Sequence, residues 1–429
     1  MLKIELKWVF LFLLIVSITY GSCTIYAGDW DVFAENESED YFLSDWRMKL
    51  KTVLEGQIEN KSSPLYNFYS EGQQNISTSL NMLYQGDLRQ EIGLSVDLGI
   101  DIDLSEEKVE GGINELLIPV VEKGDMIIDT GVLSANFGSS LFLNPVNYLD
   151  RYVVDPQKQG SYGFVGTKLS HFDESDYYAL YYFPRFSLKD KDNNNIVLFR
   201  KNTYLTGKRF SFYFFAEEKD PWEFNNPYLG FGLDSNFSIA SNYLFNGQVF
   251  YSNGETRSTV KELTVDSVPF LIPEEGSEKD LYLDLFMTIN TVLFDDLDLT
   301  FGYLYNGRGL SEGEISRLLS GLELSKDKPG FNDAANSASG LLKSPYSYSE
   351  HLGLINTTIK GVFNNTTLNQ LWFIDIKDRS FQVNNSLIWG LADNTEMEFN
   401  YTYRGGKDET LFGSALYSNE ISFVINYYF

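Results

Sequence analysis

Two rows of charge hold the clearest chemistry in this chain. Arg47, Lys49 and Lys51 alternate with Trp46, Met48 and Leu50, while Asp97, Asp101 and Asp103 alternate with Val96, Leu98, Ile100 and Ile102. Spacing by two puts each row on one face of an extended strand, with the apolar residues on the other. A third row, Glu396, Glu398 and Arg404, shares its face with Asn400 and Thr402, and Ser380, Gln382, Asn384 and Ser386 form a polar row just before it. Opposed rows of fixed charge across a narrow aqueous space would set up a field that low-dielectric walls concentrate. That is the chemistry of orienting and selecting ions or polar solutes, with no bond made or broken. The alternative is that the rows neutralise each other in a filled interior.

Catalytic and metal chemistries are poorly provided for. His171 and His351 are the only histidines, and neither stands beside a nucleophile motif. Cys23 is the only cysteine, so neither an internal disulfide nor a thiolate metal cluster can form. Asp190, Asp192 and Asn194 have calcium-loop spacing, but Asn195 replaces the glycine of that loop and Lys201 its bidentate glutamate. We therefore expect no enzyme activity, cofactor or metal. The formal net charge of −27 excludes a phosphate-backbone partner such as nucleic acid.

The elements that must carry these rows are strands. Ile76, Thr78, Leu80, Met82 and Tyr84, then Leu281, Leu283, Leu285, Met287 and Ile289, then Met397, Phe399, Tyr401 and Tyr403 all repeat with period two. Aromatics are abundant, with 28 Tyr and 33 Phe, yet mean hydropathy is only −0.21. Apolar residues are thus spread through the chain, and after the amino terminus no run approaches the ~20 residues of a membrane-crossing helix. A closed barrel is the other structure that satisfies every backbone polar group in lipid.

Both termini favour export. Lys3 and Lys7 precede an apolar run from Trp8 to Ile18 and small or polar residues through Gly21, Ser22 and Cys23, the layout of a secretory signal. We assign 1–27 to that signal, with cleavage between about 22 and 27. Cys23 is then either lost with the signal, retained just beyond it, or lipidated. Removing Lys3, Glu5 and Lys7 takes away a net +1 and leaves −28. Residues 28–45 read as an acidic periplasmic lead-in, and 46–429 as one barrel. At the other end Ile421, Phe423, Ile425, Tyr427 and Phe429 share one face of the last strand. This ending resembles that of bacterial outer-membrane β-barrels, whose final strand closes on Phe with an aromatic two residues before it. The resemblance implies that Phe423, Ile425, Tyr427 and Phe429 form the signal read by a barrel-assembly machinery, and that lipid of the bacterial outer membrane surrounds the fold.

The predicted fold is all-β: a single transmembrane antiparallel up-and-down barrel of about 18 strands, within 16–18. The strands run 46–56, 75–84, 91–104, 112–121, 125–134, 160–170, 177–184, 194–201, 208–216, 228–237, 241–251, 280–293, 297–306, 351–363, 366–376, 380–390, 395–404 and 418–429. The segment Ser258 to Val268 is either a further strand or a hairpin within a loop. Short turns at 122–125, 173–176, 295–296, 364–365 and 393–394 fall on the side where the chain ends, which reads as periplasmic. Long connections at 135–159, 252–279 and 307–350 fall opposite, as extracellular loops do. Ser311 to Glu314 has the form of a capping box, and Ile315, Leu318, Leu319 and Leu322 follow at helical spacing, predicting a helix near 312–323. The opposed rows resemble the constriction of general porins, which implies passive diffusion of small hydrophilic solutes or ions past Arg47, Lys49, Lys51, Asp97, Asp101, Asp103, Glu396, Glu398 and Arg404. Three other roles suit the same envelope: a transporter of apolar molecules, a surface adhesin or structural barrel, and a polysaccharide-export barrel. The segment from Asn136 to Leu149 resembles the Trp-Gly-x-Gly followed by Asn-Pro-x-Asp pattern of some polysaccharide-export and solute-uptake barrels, but it lacks the Trp and carries Asn147 in place of the Asp, so no substrate follows from it.

Overall fold

The computed structural model describes residues 46–59, 74–89, 92–103, 108–134, 143, 145, 163–173, 176–184, 195–206, 208–217, 228–253, 258–265, 268–275, 281–294, 296–307, 309–311, 313, 315, 319, 349–363, 365–407, 410–415 and 417–428. The expected signal, the lead-in, Cys23, Asp190, Asp192, Asn194 and Phe429 lie outside these residues, as does the 136–149 segment apart from Leu143 and Pro145.

The strands are β1 (Trp46–Glu59), β2 (Gln74–Arg89), β3 (Ile92–Asp103), β4 (Lys108–Lys123), β5 (Met126–Ser134), β6 (Gly163–Asp173), β7 (Asp176–Phe183), β8 (Ile196–Leu205), β9 (Lys208–Glu217), β10 (Tyr228–Ala240), β11 (Tyr243–Asn253), β12 (Ser258–Val265), β13 (Val268–Glu275), β14 (Leu281–Phe294), β15 (Leu297–Asn306), β16 (His351–Lys360), β17 (Thr366–Asp375), β18 (Phe381–Ala392), β19 (Thr395–Gly405) and β20 (Tyr417–Tyr428). Eighteen of them form one antiparallel sheet in which sequence neighbours are spatial neighbours. β12 and β13 pair only with each other, as a hairpin inside the connection from β11 to β14. The Ser258 to Val268 segment is therefore a loop hairpin, and the number of strands in the sheet agrees with the expected 18.

The sheet returns on itself. Leu50 of β1 pairs with Leu80 of β2 on one side and with Tyr427 of β20 on the other, so first and last strands share hydrogen bonds and leave no edge between them. One end of the strands carries connections of two to five residues, and the other carries the long ones.

Side chains sort by the period-two rule. On β7, Ala179, Tyr181 and Phe183 are buried, and the intervening Leu180 and Tyr182 are exposed. The outer face is apolar: Phe199, Phe214, Phe231, Leu283, Ile289 and Phe301 are all exposed there. Exposed aromatics gather at both ends of this band, with Tyr243, Phe294, Phe363 and Trp389 at the short-turn end and Phe231, Tyr251 and Tyr403 toward the long-loop end. An apolar outer band flanked by aromatic rings matches the profile of a bilayer.

Inside, the polar rows do not extend all the way round: across β5–β11 the inner face carries an apolar cluster of Leu133, Ala179, Tyr181, Phe183, Ile196, Leu198, Tyr213, Phe215 and Phe250. Phe215 and Phe250 stack at 5.4 Å, and Tyr181 and Phe183 at 5.9 Å. Gly230 makes this possible: a Cβ there would stand 1.6 Å from Cε1 of Phe215. In the connection after β15, residues 313, 315 and 319 are helical, Ile315 N–H donates to the Ser311 carbonyl at 3.0 Å, and Ile315 and Leu319 are buried. The expected apolar stripe is thus buried at these two positions, whereas Leu318 and Leu322 lie outside the described residues.

Candidate channel lining

The inner wall from β17 through β20 to β1 is mostly polar, interrupted by buried Leu371, Phe373 and Val424, and most of its side chains keep partial access to solvent. Register explains the grouping. Gln382 of β18 pairs with Arg404 of β19, and Thr402 of β19 with Glu420 of β20, so three successive strands bring their inward positions onto shared rows. Arg404 donates from Nε to Gln382 at 2.7 Å, and its Nη1 and Nη2 meet the two carboxylate oxygens of Glu420 at 3.0 and 3.1 Å. This fork-on-fork geometry holds the guanidinium flat and largely cancels its charge. Glu398 accepts from Ser386 Oγ at 2.9 Å, and Glu396 from Asn426 Nδ2 at 3.1 Å. Among the described residues neither glutamate meets a cation, so both present net negative charge to the interior.

The two opposed rows fall into register across three strands. Lys51 pairs with Ser79 of β2, which pairs with Asp101 of β3; Arg47 pairs with Leu83, which pairs with Asp97; Asp103 lies beyond Ser77. Strands two apart are about 10 Å from one another, the separation over which charge rows share a field. Closure adds a neighbour. Lys51 also pairs with Asn426 of β20, which pairs with Glu396 of β19, so one row reads Asp101, Ser79, Lys51, Asn426, Glu396. Lys51 stands midway between two acidic positions. Near the short-turn end, Lys49 lies 5.2 Å from the centre of the Tyr428 ring, a cation–π contact at the exit. The side chains of Arg47, Asp97, Asp101 and Asp103 lie outside the described set.

On the opposite wall the charges are fewer and paired or covered. Lys168 meets Asp129 at 2.7 Å, and Arg200 lies between the rings of Tyr177 and Tyr213 at 5.9 and 5.7 Å while donating to Asn202. No family model matches this chain, and no curated protein does. Solved structures do match it over nearly their whole length. OpdQ of Pseudomonas aeruginosa covers 90% of this chain and 98% of its own at a TM-score of 0.52 and 9% identity. The outer membrane protein OprD from the same organism covers 90% and 94% at 0.51 and 11% identity, and OccK11 (OpdR) covers 90% and 96% at 0.50 and 11%. The chain has the fold of a porin-like outer-membrane barrel. At this identity the likeness extends to the fold and to no particular residue.

Within this porin-like barrel the sequence-derived site residues divide. Glu396, Glu398, Arg404, Lys49 and Lys51 lie on one continuous stretch of inner wall, while Phe423, Ile425 and Tyr427 lie on the outer face of β20, opposite Val424 and Asn426. Ser380 is not part of the polar row: it sits in the turn before β18, fully buried, and donates to Asp378 Oδ1 at 2.6 Å. Glu420 was missed because its alternation partners are ordinary, and its role depends on a cross-strand neighbour. Asp378 was missed for a similar reason. It lies in the turn between β17 and β18, where its carboxylate accepts from Ser380 N, Ser380 Oγ and, from another loop, Leu411 N at 2.6 Å. Thr410 to Ala415 are all buried against this turn region. Burial pushes the Asp378 carboxyl up, against the pull of the hydrogen bonds from Leu411 and Ser380. Beside it Lys377 is held above the ordinary lysine range by its hydrogen bond to Glu350, 2.5 Å away. His171, at the short-turn end of β6, and His351, at the long-loop start of β16, sit at opposite ends of the barrel.

Proposed function

We propose that this protein is an outer-membrane channel for passive diffusion of small hydrophilic solutes and ions, weakly selective for cations. The observation that carries the reading is the part-exposed, hydrogen-bonded polar wall from β17 to β1, with Glu396 and Glu398 unpaired by cations and Arg404 neutralised by Glu420. In this reading Arg47, Lys49 and Lys51 on β1 and Asp97, Asp101 and Asp103 on β3 share one wall, about 10 Å apart, and set a field along the water path. The signal at 1–27 directs export, the short-turn end lies in the periplasm, and the last strand, with Phe423, Ile425, Tyr427 and Phe429, is read during assembly into the lipid. Swelling of liposomes carrying the purified protein tests the path. Swelling that falls steadily as sugar size increases supports a water-filled pore, and its absence with every sugar contradicts it.

A second reading has one observation in its favour. The apolar inner cluster on β5–β11 is what a carrier of apolar molecules would present. In that case liposomes would take up an apolar tracer faster with the protein than without it, and sugars would not enter.

A further inference from the structure

Among the described residues the membrane-facing wall is mostly apolar, and its polar positions are few, among them the Thr130–Thr167 hydroxyl pair on β5 and β6, Lys201 of β8 paired with Asp176 of β7 at 3.0 Å, and an amide pair on β17 and β18. On β17 and β18, Gln370 and Asn385 point away from the inward residues Leu371 and Ser386, and Gln370 Nε2 donates to Asn385 Oδ1 at 2.8 Å. Asn385 donates in turn to the Tyr401 carbonyl at 3.4 Å, and Tyr401 OH to Asn419 Oδ1 at 2.6 Å on the same outer face. Gln370 is the fifth of ten residues in β17, far from either end. It therefore lies at the depth of the hydrocarbon, where an amide finds no headgroup or water.

An amide has two donors and two acceptor lone pairs on its oxygen. Among the described residues Gln370 makes one side-chain hydrogen bond, so its oxygen has no partner. In a lone barrel that oxygen faces lipid, which disfavours an unpaired polar group strongly. On the opposite sector the outward Lys201 has its partner in Asp176 at 3.0 Å, and Leu180, Phe199, Phe214 and Phe231 around it are apolar.

We propose that the β16–β20 wall is a subunit face, and that its occupant is the same wall of a second copy of this chain. The amides select that partner. Because glutamine and asparagine both donate and accept, a row of them complements itself across a two-fold axis, which a row of one charge would not. A second copy is also held at the same depth by the same bilayer, so the two rows meet level.

The test uses the full chain in lipid bilayers, with self-association followed by energy transfer between labelled copies as protein density rises. Leucine is favoured on a lipid-facing strand, so Gln370→Leu with Asn385→Leu should insert normally, checked by heat-modifiable migration on gels. The wild type should self-associate, and the double variant should do so about tenfold more weakly, as loss of a few intramembrane hydrogen bonds implies. Thr130→Val with Thr167→Val removes the outward hydroxyl pair on β5 and β6, 3.4 Å apart on another sector, and should change nothing. A wild type that stays monomeric at every density, or a double leucine variant that associates as strongly as wild type, overturns the proposal. Both results are independent of whether the pore conducts.

Discussion

At the scale of single residues, the Arg404–Glu420 pair sets the charge of the lining. Glu420→Gln removes the carboxylate that holds Arg404 at 3.0 Å and leaves a cation in the lumen. The reversal potential under a salt gradient should then move toward lower cation selectivity, whereas Arg404→Gln should move it the other way. An unchanged potential in both would place the pair off the ion path. Gly230 is a packing constraint: with Cε1 of Phe215 at 1.6 Å from an added Cβ, Gly230→Ala forces the ring out of its stack with Phe250. Overpacking of this kind costs about 1–3 kcal/mol, read as a lowered unfolding midpoint. Neither residue was legible in the sequence, because each takes its role from a neighbour on another strand. The alternating charges at Lys49, Lys51, Glu396 and Glu398 were legible, since alternation alone assigns a face.

Among elements, the strands were more legible than the connections. Period two fixes which residues of a strand point together, and eighteen such runs were visible before any pairing was known. The stagger at the closing seam was not, because the offset between β1 and β20 depends on how the sheet curls. That offset places Glu396 on the row of Lys51. The apolar inner cluster was hidden for another reason: Tyr181, Phe183, Tyr213 and Phe215 alternate with outward residues that are equally apolar, so the pattern has no contrast. Replacing Asp97, Asp101 and Asp103 together with Asn should lower the cation-to-anion permeability ratio by about half or more, since it removes three like charges from one strand. No change would mean that β3 does not face the path.

The long-loop end offers a pH prediction for the segment 406–416. Asp378 has a raised pKa when its loop partner is docked, so its contribution to docking is fully present below the ordinary aspartate value and is lost as pH rises through the raised one. Leu411 and Phe412 amides should therefore exchange more slowly at acid pH than at neutral pH, after correction for intrinsic rates. Asp378→Ala should remove that pH dependence and loosen the segment by about 1–3 kcal/mol, toward the lower figure because the carboxyl is only half-buried. A pH profile identical to wild type would assign the docking to other groups.

For the molecule as a whole, the closed ring, the apolar outer band and an interior of mixed polar and apolar sectors describe a barrel suited to a membrane. The central claim is that water and ions pass along the β17–β1 wall. Current across a planar bilayer containing the purified protein tests it most directly. Discrete, ohmic steps with a weak preference for cations are predicted; a bilayer that stays sealed at every voltage, with the barrel verifiably inserted, would contradict it.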